Sequence, residues 1–330
     1  MMPDFRNKEV PPGKPLVTIG LSSYNYAHYI LDSLNSLISQ TYPLIELIII
    51  DDCSTDNSVE IINTWIKENN INCTFIIHKQ NRGISKTLNE MVKLSKGKYF
   101  VMFASDDIML PERVERQVDI LETVNDGSYG LCYAHPLRMD EEGSLIGKEK
   151  YSSFNIFLEG DVMEAFLKKE FWFVPPACML LKSAIVKTGY YNEEVLLEDY
   201  NFFVRFLLFY KVKFCSYPCI IYRERKGKSQ IVKQWEKNNG ERYFYDRIIS
   251  NVSAWRLAKI SIVKSLLEKK IYQYLKCLAV YNSSLFYKSV WVLLRNNYLK
   301  IPMKFFFIKS AKSLGILPKS EIVYEDSSWF

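Results

Sequence analysis

Adjacent aspartates occur at two places in the sequence, each close behind a short apolar segment. Asp51 and Asp52 follow the first of these segments, and Asp106 and Asp107 follow the second. Neighbouring carboxylates repel each other and are costly to remove from water, and a divalent cation with oxygen ligands relieves that cost. Mg²⁺ commonly binds one or two carboxylates together with substrate phosphates. The second pair, Asp106 and Asp107, therefore indicates a metal-and-phosphate site, with an aspartate-rich turn as the alternative.

A third acidic pair, Glu198 and Asp199, precedes an apolar segment with helical spacing. A carboxylate at the start of a helix caps free N–H groups, which is the structural interpretation of Asp199. A carboxylate can also act as a general base that takes the proton of an attacking hydroxyl group. This pair is therefore a candidate for proton transfer.

The elements that must position these residues follow from hydrophobic periodicity. Strands are predicted over residues 16–21, 45–50, 73–78, 99–104, 131–134, 177–181 and 219–222, and helices over 28–40, 59–67, 84–94 and 112–124. The alternation in the first part of the chain implies right-handed βαβ units and a mainly parallel sheet. Ligands of such sheets bind outside the carboxyl ends of the strands, where the segments SSYN, DDCSTD, QNRG and ASDD fall.

Composition excludes several classes of protein. The seven cysteines of the 330-residue chain are scattered without a CxxC pair, which argues against a disulfide framework or a zinc site and favours a reducing compartment. No GxGxxG follows the first strand and no GxxxxGK[ST] occurs, which disfavours a dinucleotide fold and excludes a P-loop. No apolar run approaches the roughly eighteen residues of a transmembrane helix.

Four segments taken together resemble the family 2 glycosyltransferases. They are SSYN, IIIDDCSTDNS, NRG and YFVMFASDDIMLPERVERQ, and the resemblance covers roughly residues 15–225. It implies an α/β fold of the GT-A type, Rossmann-like, with a mainly parallel sheet and flanking helices, followed by a helical C-terminal region. The domains expected are a flexible leader (1–14), a catalytic domain (15–228) and a basic, aromatic-rich helical region (229–330).

The resemblance also implies which residues bind a nucleotide-sugar donor, expected to be UDP-linked. These residues are Ser22, Tyr24, Asn25, Asp51, Asp52, Arg82, Asp106 and Asp107. Tyr24 offers a ring that can stack on a base, and a carboxylate can accept a base N–H. Asp107 is expected to contact Mn²⁺ or Mg²⁺ through the donor diphosphate. The alternative for Tyr24 is a packing role in the core. The alternative for Arg82 is a solvated arginine on the surface.

On the acceptor side, the resemblance implies that Asp199 is the general base and Glu198 its supporting neighbour. A single base without a covalent sugar intermediate predicts inversion at the anomeric carbon. Four residues are candidates for an acceptor contact or a mobile lid: Trp172, His135, Arg225 and Lys228. Packing is the alternative for Trp172 and His135. Relatives carry a histidine about where Arg225 stands, and an arginine cannot ligate a cation.

Charge is distributed unevenly along the chain. Residues 1–222 contain 22 lysines and arginines against 29 acidic residues, whereas residues 223–330 contain 21 against 8. Basic and aromatic residues on amphipathic helices suit an anionic membrane surface, and a helical cover or a homo-oligomer interface is the alternative. Nucleic acid is not expected as a partner because no binding motif accompanies the charge.

The sequence therefore predicts an inverting, metal-dependent glycosyltransferase that extends a surface polysaccharide. The acceptor is expected to be a glycan or a polyprenyl-diphosphate-linked glycan, and the location the cytoplasmic face of the cell membrane; both expectations come from the family. A nucleotidyltransferase and a non-catalytic module that binds sugar nucleotides or glycans remain alternatives. The donor sugar, the acceptor and the linkage stay open.

Overall fold

The computed structural model of the chain describes residues 12–124, 126–146, 157–225, 241–280 and 284–295. These residues divide into two compact units. The first contains the described residues from 12 to 193 and from 206 to 225, and the second contains Glu194–Arg205 with the described residues from 241 to 295. The predicted boundary after residue 228 and most of the predicted leader lie outside the described residues.

The first unit is built on two sheets. The strands are β1 (Val17–Ser23), β2 (Ile45–Asp51), β3 (Thr74–Ile77), β4 (Tyr99–Ala104), β5 (Ile108–Met109), β6 (Tyr129–Ala134), β7 (Leu137–Met139), β8 (Leu145–Ile146), β9 (Met179–Leu181), β10 (Lys211–Cys215) and β11 (Ile220–Arg223). The larger sheet has the order β10-β6-β9-β4-β1-β2-β3, and the smaller one the order β5-β11-β7-β8. The smaller sheet was not anticipated, because three of its four strands are only two or three residues long.

Parallel pairing dominates the larger sheet. Strands β4, β1, β2 and β3 are mutually parallel, and so are β10 and β6. Strand β9 lies antiparallel between β4 and β6. The predicted α/β fold with a mainly parallel sheet is thus confirmed.

Helices connect and cover the strands. They are α1 (Ile30–Ile38), α2 (Ser58–Glu68), α3 (Ile84–Leu94), α4 (Arg113–Glu122), α5 (Met163–Lys168) and α6 (Lys182–Thr188). The next helix, α7 (Glu198–Phe206), belongs to the second unit up to Arg205. In the centre of the sheet Val17, Ile19 and Leu21 are buried on one face of β1 and Thr18 on the other, as expected for a strand covered on both faces. Gly20 faces Met91 and Phe100 so closely that a Cβ atom would lie 2.8 Å from each side chain, which accounts for the glycine.

The second unit is helical. Its helices α8 (Glu241–Leu257), α9 (Ser261–Val280) and α10 (Ser284–Arg295) pack on one another through buried residues such as Ile248, Leu267 and Phe286. The predicted helical C-terminal region is therefore confirmed over these residues. None of the helices in the described ranges has the length and apolar character that crossing a bilayer requires.

Candidate active site

The carboxyl ends of β1, β2, β3 and β4 form one edge of the larger sheet. Ser22 pairs with Ala104 of β4 on one side and with Ile50 of β2 on the other, and Ser23 pairs with Asp51. The acidic pairs after β2 and β4 therefore lie on either side of β1. Since neighbouring strands are about 4.8 Å apart, the two strand ends are separated by roughly 10 Å, a span that a nucleotide can bridge.

Asp51 is fully buried and forms hydrogen bonds with the loop that follows β2. Its carboxylate accepts hydrogen bonds from the backbone N–H of Ser54 (2.7 Å), from Ser54 Oγ (2.6 Å) and from Ser23 Oγ (2.8 Å). These three donors tie the ends of β1 and β2 together. The contacts give Asp51 a structural role at the edge of the predicted donor site.

Asp52, in contrast, is held by the segment that follows β3. Its Oδ1 accepts the N–H of Arg82 (2.8 Å) and lies 2.7 Å from His78 Nδ1, and its Oδ2 accepts the N–H of Gly83 (2.8 Å). A carboxylate offers about four lone-pair positions, so Oδ2 keeps the capacity to accept one more hydrogen. The structure thus fixes this carboxylate and leaves it able to meet a donor group.

Gly83 has φ +82° and ψ 158°, a backbone region that essentially only glycine occupies. No atom lies within 4 Å of where a Cβ would be, so an added methyl group would strain the backbone rather than clash. We expect Gly83→Ala to lower the free energy of unfolding by about 1–3 kcal/mol and to weaken nucleotide binding, because the N–H that orients Asp52 is displaced. Urea unfolding and calorimetric titration with UDP measure the two effects. Unchanged stability together with unchanged binding would contradict this account.

The acidic turn Ser105–Asp107 is held in place by polar residues of α1. Ser33 Oγ donates to the carbonyl of Asp107 (2.6 Å), and the N–H of Met109 donates to Ser36 Oγ (3.0 Å). Both serines are buried. The sequence analysis predicted this helix from its apolar spacing and gave its serines no role, although serines three residues apart on its apolar side are a signal of such a role.

Asp107 is buried and incompletely paired. Its Oδ1 accepts the N–H of Arg223 (3.0 Å), while Oδ2 is enclosed with no hydrogen-bond partner among the described residues. Burial raises the pKa of Asp107 well above its usual range, and the charge of Asp106 raises it further. Burial also raises the pKa of Asp106, and Arg225 opposes that shift. A site of this kind favours a cation that compensates two negative charges.

Two arginines at the carboxyl end of β11 reach this turn: Arg223 is its last residue and Arg225 follows it. The buried Arg223 donates through Nε to the carbonyl of Asp106 (3.0 Å), and its guanidinium lies 4.6 Å from the ring centroid of Tyr29. Arg225 Nε lies 3.4 Å from Asp106 Oδ2, and its guanidinium lies 5.0 Å from the ring centroid of Tyr26. Sequence reasoning singled out Arg225 but missed Arg223, whose only signal was its position at the end of a strand.

The predicted residues at the end of β1 and just after it differ in exposure. Ser22 is half-buried within the strand, and Tyr24 is 41% exposed. Asn25 has φ +57°, and its Oδ1 accepts the N–H of Thr55 (2.7 Å), which links the loops after β1 and β2. Tyr24 is therefore available to stack on a ligand, whereas Asn25 shapes the loop.

The remaining candidates in the first unit lie among aromatic residues. Trp172 stacks on Phe166 with a centroid distance of 5.0 Å. His135 lies 5.3 Å from Phe214, its Nε2 has no hydrogen-bond partner among the described residues, and burial lowers its pKa. Lys228 lies outside the described residues. The acceptor and lid roles of these residues stay predictions.

The acidic pair of the second unit lies in the first turn of α7. Burial raises the pKa of Glu198 to about 8, with a contribution from the charge of Asp199, and Glu198 Oε2 has no hydrogen-bond partner among the described residues. Burial also raises the pKa of Asp199, while the charge of Arg247 opposes that shift. The pair therefore favours a state with one negative charge near neutral pH, and Asp199 is the member that Arg247 helps to ionise.

Solved structures share this fold. TarS of S. aureus (residues 1–349), crystallised with UDP, aligns with a TM-score of 0.56 and 17% identity over 79% of this chain and 71% of that chain. The mannosyltransferase PcManGT of Pyrobaculum calidifontis, in complex with GDP-Man and Mn²⁺, aligns with a TM-score of 0.56 and 16% identity over 96% of this chain and 83% of that chain. The fold is therefore of the GT-A class of α/β proteins.

Sequence comparison identifies the family within that class. The profile described as glycosyl transferase family 2 matches residues 18–229, and the chain belongs to this family, as the sequence motifs predicted. An uncharacterised glycosyltransferase of Methanocaldococcus jannaschii is 29% identical over 194 residues, which cover 58% of this chain and 64% of that protein. TuaG of Bacillus subtilis, provisionally named as a teichuronic acid biosynthesis glycosyltransferase, is 32% identical over 136 residues, 41% of this chain and 52% of that protein. The chain thus spans less than two thirds of the length of these relatives.

Proposed function

We propose that the protein transfers a sugar from a nucleotide sugar to a hydroxyl group of a glycan, with inversion at the anomeric carbon. The observation that carries this proposal is the sheet edge at which an oriented carboxylate, Asp52, and an incompletely paired carboxylate, Asp107, lie on either side of β1. Family membership supports the same reaction class.

The donor is a nucleotide whose base carries a ring N–H. Asp52 accepts three hydrogen bonds from protein groups and can accept one more, so it selects a base that donates at that position. Uracil and guanine do so, whereas adenine and cytosine present a ring nitrogen acceptor there. Tyr24 supplies an exposed ring for stacking. We propose a UDP-linked donor, in keeping with the UDP bound to TarS.

A divalent cation, Mn²⁺ or Mg²⁺, fits the acidic turn if the donor diphosphate supplies further ligands. In the described part of the chain no three histidine, cysteine or acidic side chains cluster as a metal cage, yet the enclosed Oδ2 of Asp107 has no partner. Asp107 would hold the cation, which when bound supplies charge stabilisation for the leaving diphosphate. The PcManGT structure contains Mn²⁺.

Asp199 is proposed as the general base that takes the proton of the acceptor hydroxyl as it attacks the sugar. Glu198, whose pKa is raised to about 8, remains protonated at neutral pH and does not compete for that proton. Arg247 favours the ionised form of Asp199. The two neighbouring carboxyl groups thereby have separate roles.

Protonation of Glu198 links stability to pH. Because its pKa is higher in the folded chain than in an unfolded chain, the folded chain binds more protons above about pH 5, and stability falls as the pH rises towards 8. We expect Glu198→Gln to remove this contribution, which amounts to at most about 1.4 kcal/mol per pH unit. Urea unfolding between pH 5.5 and 8.5 measures the slope. Glu194→Gln, which alters an exposed carboxyl group, should keep the wild-type slope, and an equal slope in Glu198→Gln would contradict the assignment.

The acceptor is proposed to be a growing surface polysaccharide on a polyprenyl-diphosphate carrier. The name of TuaG supports polysaccharide synthesis. The net positive charge of residues 223–330 supports an anionic membrane surface as the place of reaction. Helix α10 carries Tyr287 and Trp291, which are 56% and 59% exposed, next to the basic residues Lys288 and Arg295.

We expect the double variant Tyr287→Ala, Trp291→Ala to bind anionic vesicles at least about tenfold more weakly than the wild-type chain, because the exposed rings insert at the interface. Co-sedimentation with phosphatidylglycerol vesicles measures this, and wild-type binding should fall as salt rises. Leu145→Ala removes an exposed apolar side chain of the first unit and serves as the control. Unchanged vesicle binding, with loss of a dimer in analytical ultracentrifugation, would assign the rings to an oligomer interface instead.

The reaction itself is tested with a panel of nucleotide sugars in the presence of Mn²⁺ or Mg²⁺, with release of nucleoside diphosphate as the signal. Release from a UDP-sugar supports the proposal. Release of pyrophosphate from a nucleoside triphosphate and a sugar phosphate would assign a nucleotidyltransferase. Nucleotide-sugar binding without any release would favour a binding module.

A further inference from the structure

A histidine that the proposed function does not use connects the charged groups at the nucleotide end of the sheet edge. His78 directly follows β3, and its side chain is only 4% exposed. Its Nδ1 lies 2.7 Å from Asp52 Oδ1, and its Nε2 lies 3.3 Å from Glu90 Oε2. The imidazole thus bridges a carboxylate at the end of β2 and a carboxylate of α3.

The hydrogen-bond partners fix the direction of the first contact. Asp52 Oδ1 already accepts the N–H of Arg82, and a carboxylate oxygen acts as an acceptor, so His78 Nδ1 carries the proton and donates it to Asp52. In this tautomer Nε2 is an acceptor, and Arg82 Nη1 approaches it to 3.5 Å. The same Nη1 donates a hydrogen bond to Glu90 Oε2. The four residues therefore form a closed circuit, because Arg82 contacts Asp52 through its backbone and Glu90 through its side chain.

The circuit fixes the orientations of the buried Asp52 carboxylate and of the exposed Arg82 side chain. Without His78, Asp52 Oδ1 keeps one donor and can rotate towards water, and Glu90 is held by Arg82 alone. The guanidinium of Arg82 is 41% exposed and reaches solvent next to Asp52, so Glu90 determines its orientation. Orientation of a binding group before the ligand arrives lowers the free-energy cost of ordering it on binding.

We propose that His78 is a positioning residue of the nucleotide site, which orients Asp52 through Nδ1 and couples it through Nε2 to Arg82 and its partner Glu90. This inference rests on the proposed function, in which Asp52 and Arg82 meet the nucleotide. It assigns to His78 and Glu90 a role in nucleotide affinity and none in the chemical step.

Two substitutions of His78 distinguish the roles of the two ring nitrogens. In His78→Asn the amide nitrogen can occupy the position of Nδ1 and donate to Asp52, whereas in His78→Gln it can reach only the position of Nε2. We expect His78→Asn to bind UDP within about threefold of the wild-type chain and His78→Gln to bind it about tenfold more weakly, since a hydrogen bond to a charged group is lost. Glu90→Gln should weaken UDP binding by about threefold, and Glu60→Gln, an exposed change in α2, should have no effect.

Calorimetric titration with UDP, thermal unfolding and turnover of the donor sugar give the three measurements required. Weaker UDP binding in His78→Gln, with kcat and melting temperature near the wild-type values and with recovery in His78→Asn, supports the proposal. Equal losses in both variants accompanied by a lower melting temperature would overturn it in favour of a packing role, and so would unchanged UDP binding in His78→Gln. A wild-type chain that binds neither UDP nor GDP would instead overturn the proposed function, and this is visible before any variant is compared.

Discussion

Replacing Asp199 by asparagine is expected to lower kcat by roughly 10²–10⁴-fold while donor affinity changes by no more than about threefold. The amide cannot take the proton of the acceptor hydroxyl, and loss of a general base has effects of this size. Donor affinity is spared because Asp199 is assigned to the acceptor hydroxyl and not to the nucleotide. Single-turnover transfer and calorimetric titration with UDP measure the two quantities.

The fold of this variant should be intact. Burial raises the pKa of Asp199, so its ionised form is costly in the folded chain, and a neutral amide of the same shape removes that cost. Asp119→Asn, which alters a 65% exposed carboxyl group of α4, is the matched control and should retain full activity. If Asp199→Asn transferred sugar at the wild-type rate, the general base would have to be another residue.

Replacing Asp107 by asparagine is expected to lower kcat/KM by at least about 100-fold and to leave stability unchanged or increased. Activity falls because a neutral amide no longer provides the charge that would hold the cation at the diphosphate. Stability is spared because the pKa of Asp107 is raised in the folded chain. As the pH rises above about 4, ionisation of this carboxyl group therefore lowers the stability of the wild-type chain. A neutral amide does not ionise and avoids this loss. Donor turnover and urea unfolding at pH 7.5 measure the two outcomes.

Reduced activity without a loss of stability distinguishes a functional carboxylate from a structural one. Asp51 is equally buried but accepts three hydrogen bonds, so Asp51→Asn should lose stability, because its amide nitrogen would face two donors where Oδ2 now accepts from Ser23 and Ser54. A marked loss of stability in Asp107→Asn, with activity reduced only in proportion to unfolding, would contradict the proposed role.

The elements that position the site were predictable from local sequence. Alternating apolar and polar segments predicted β1 to β4 and the helices between them, and the polar turns at the strand ends predicted the edge to which a ligand binds. Strands joined by helical crossovers lie parallel, so their carboxyl ends share one edge of the sheet. The placement of Asp52 and Asp107 at that edge could therefore be predicted from the sequence.

The different roles of the charged residues at that edge depend on contacts between residues far apart in the sequence, and these could not be predicted. Asp51 and Asp52 are adjacent and chemically identical, yet one is held by Ser23 and Ser54 and the other by the segment from His78 to Gly83. Arg223 reaches the acidic turn across more than a hundred residues of sequence. No periodicity encodes such pairings, and the contact of Arg223 arises when β11 joins β5 in the smaller sheet.

Calorimetric titration of UDP with and without Mn²⁺, carried out on the wild-type chain, Asp107→Asn and Asp199→Asn, tests the central claim most directly. The account predicts that the wild-type chain and Asp199→Asn bind UDP more tightly with Mn²⁺ than without it, and that Asp107→Asn shows no such gain. It would be contradicted if Asp107→Asn retained the full gain from Mn²⁺, or if UDP failed to bind the wild-type chain at all.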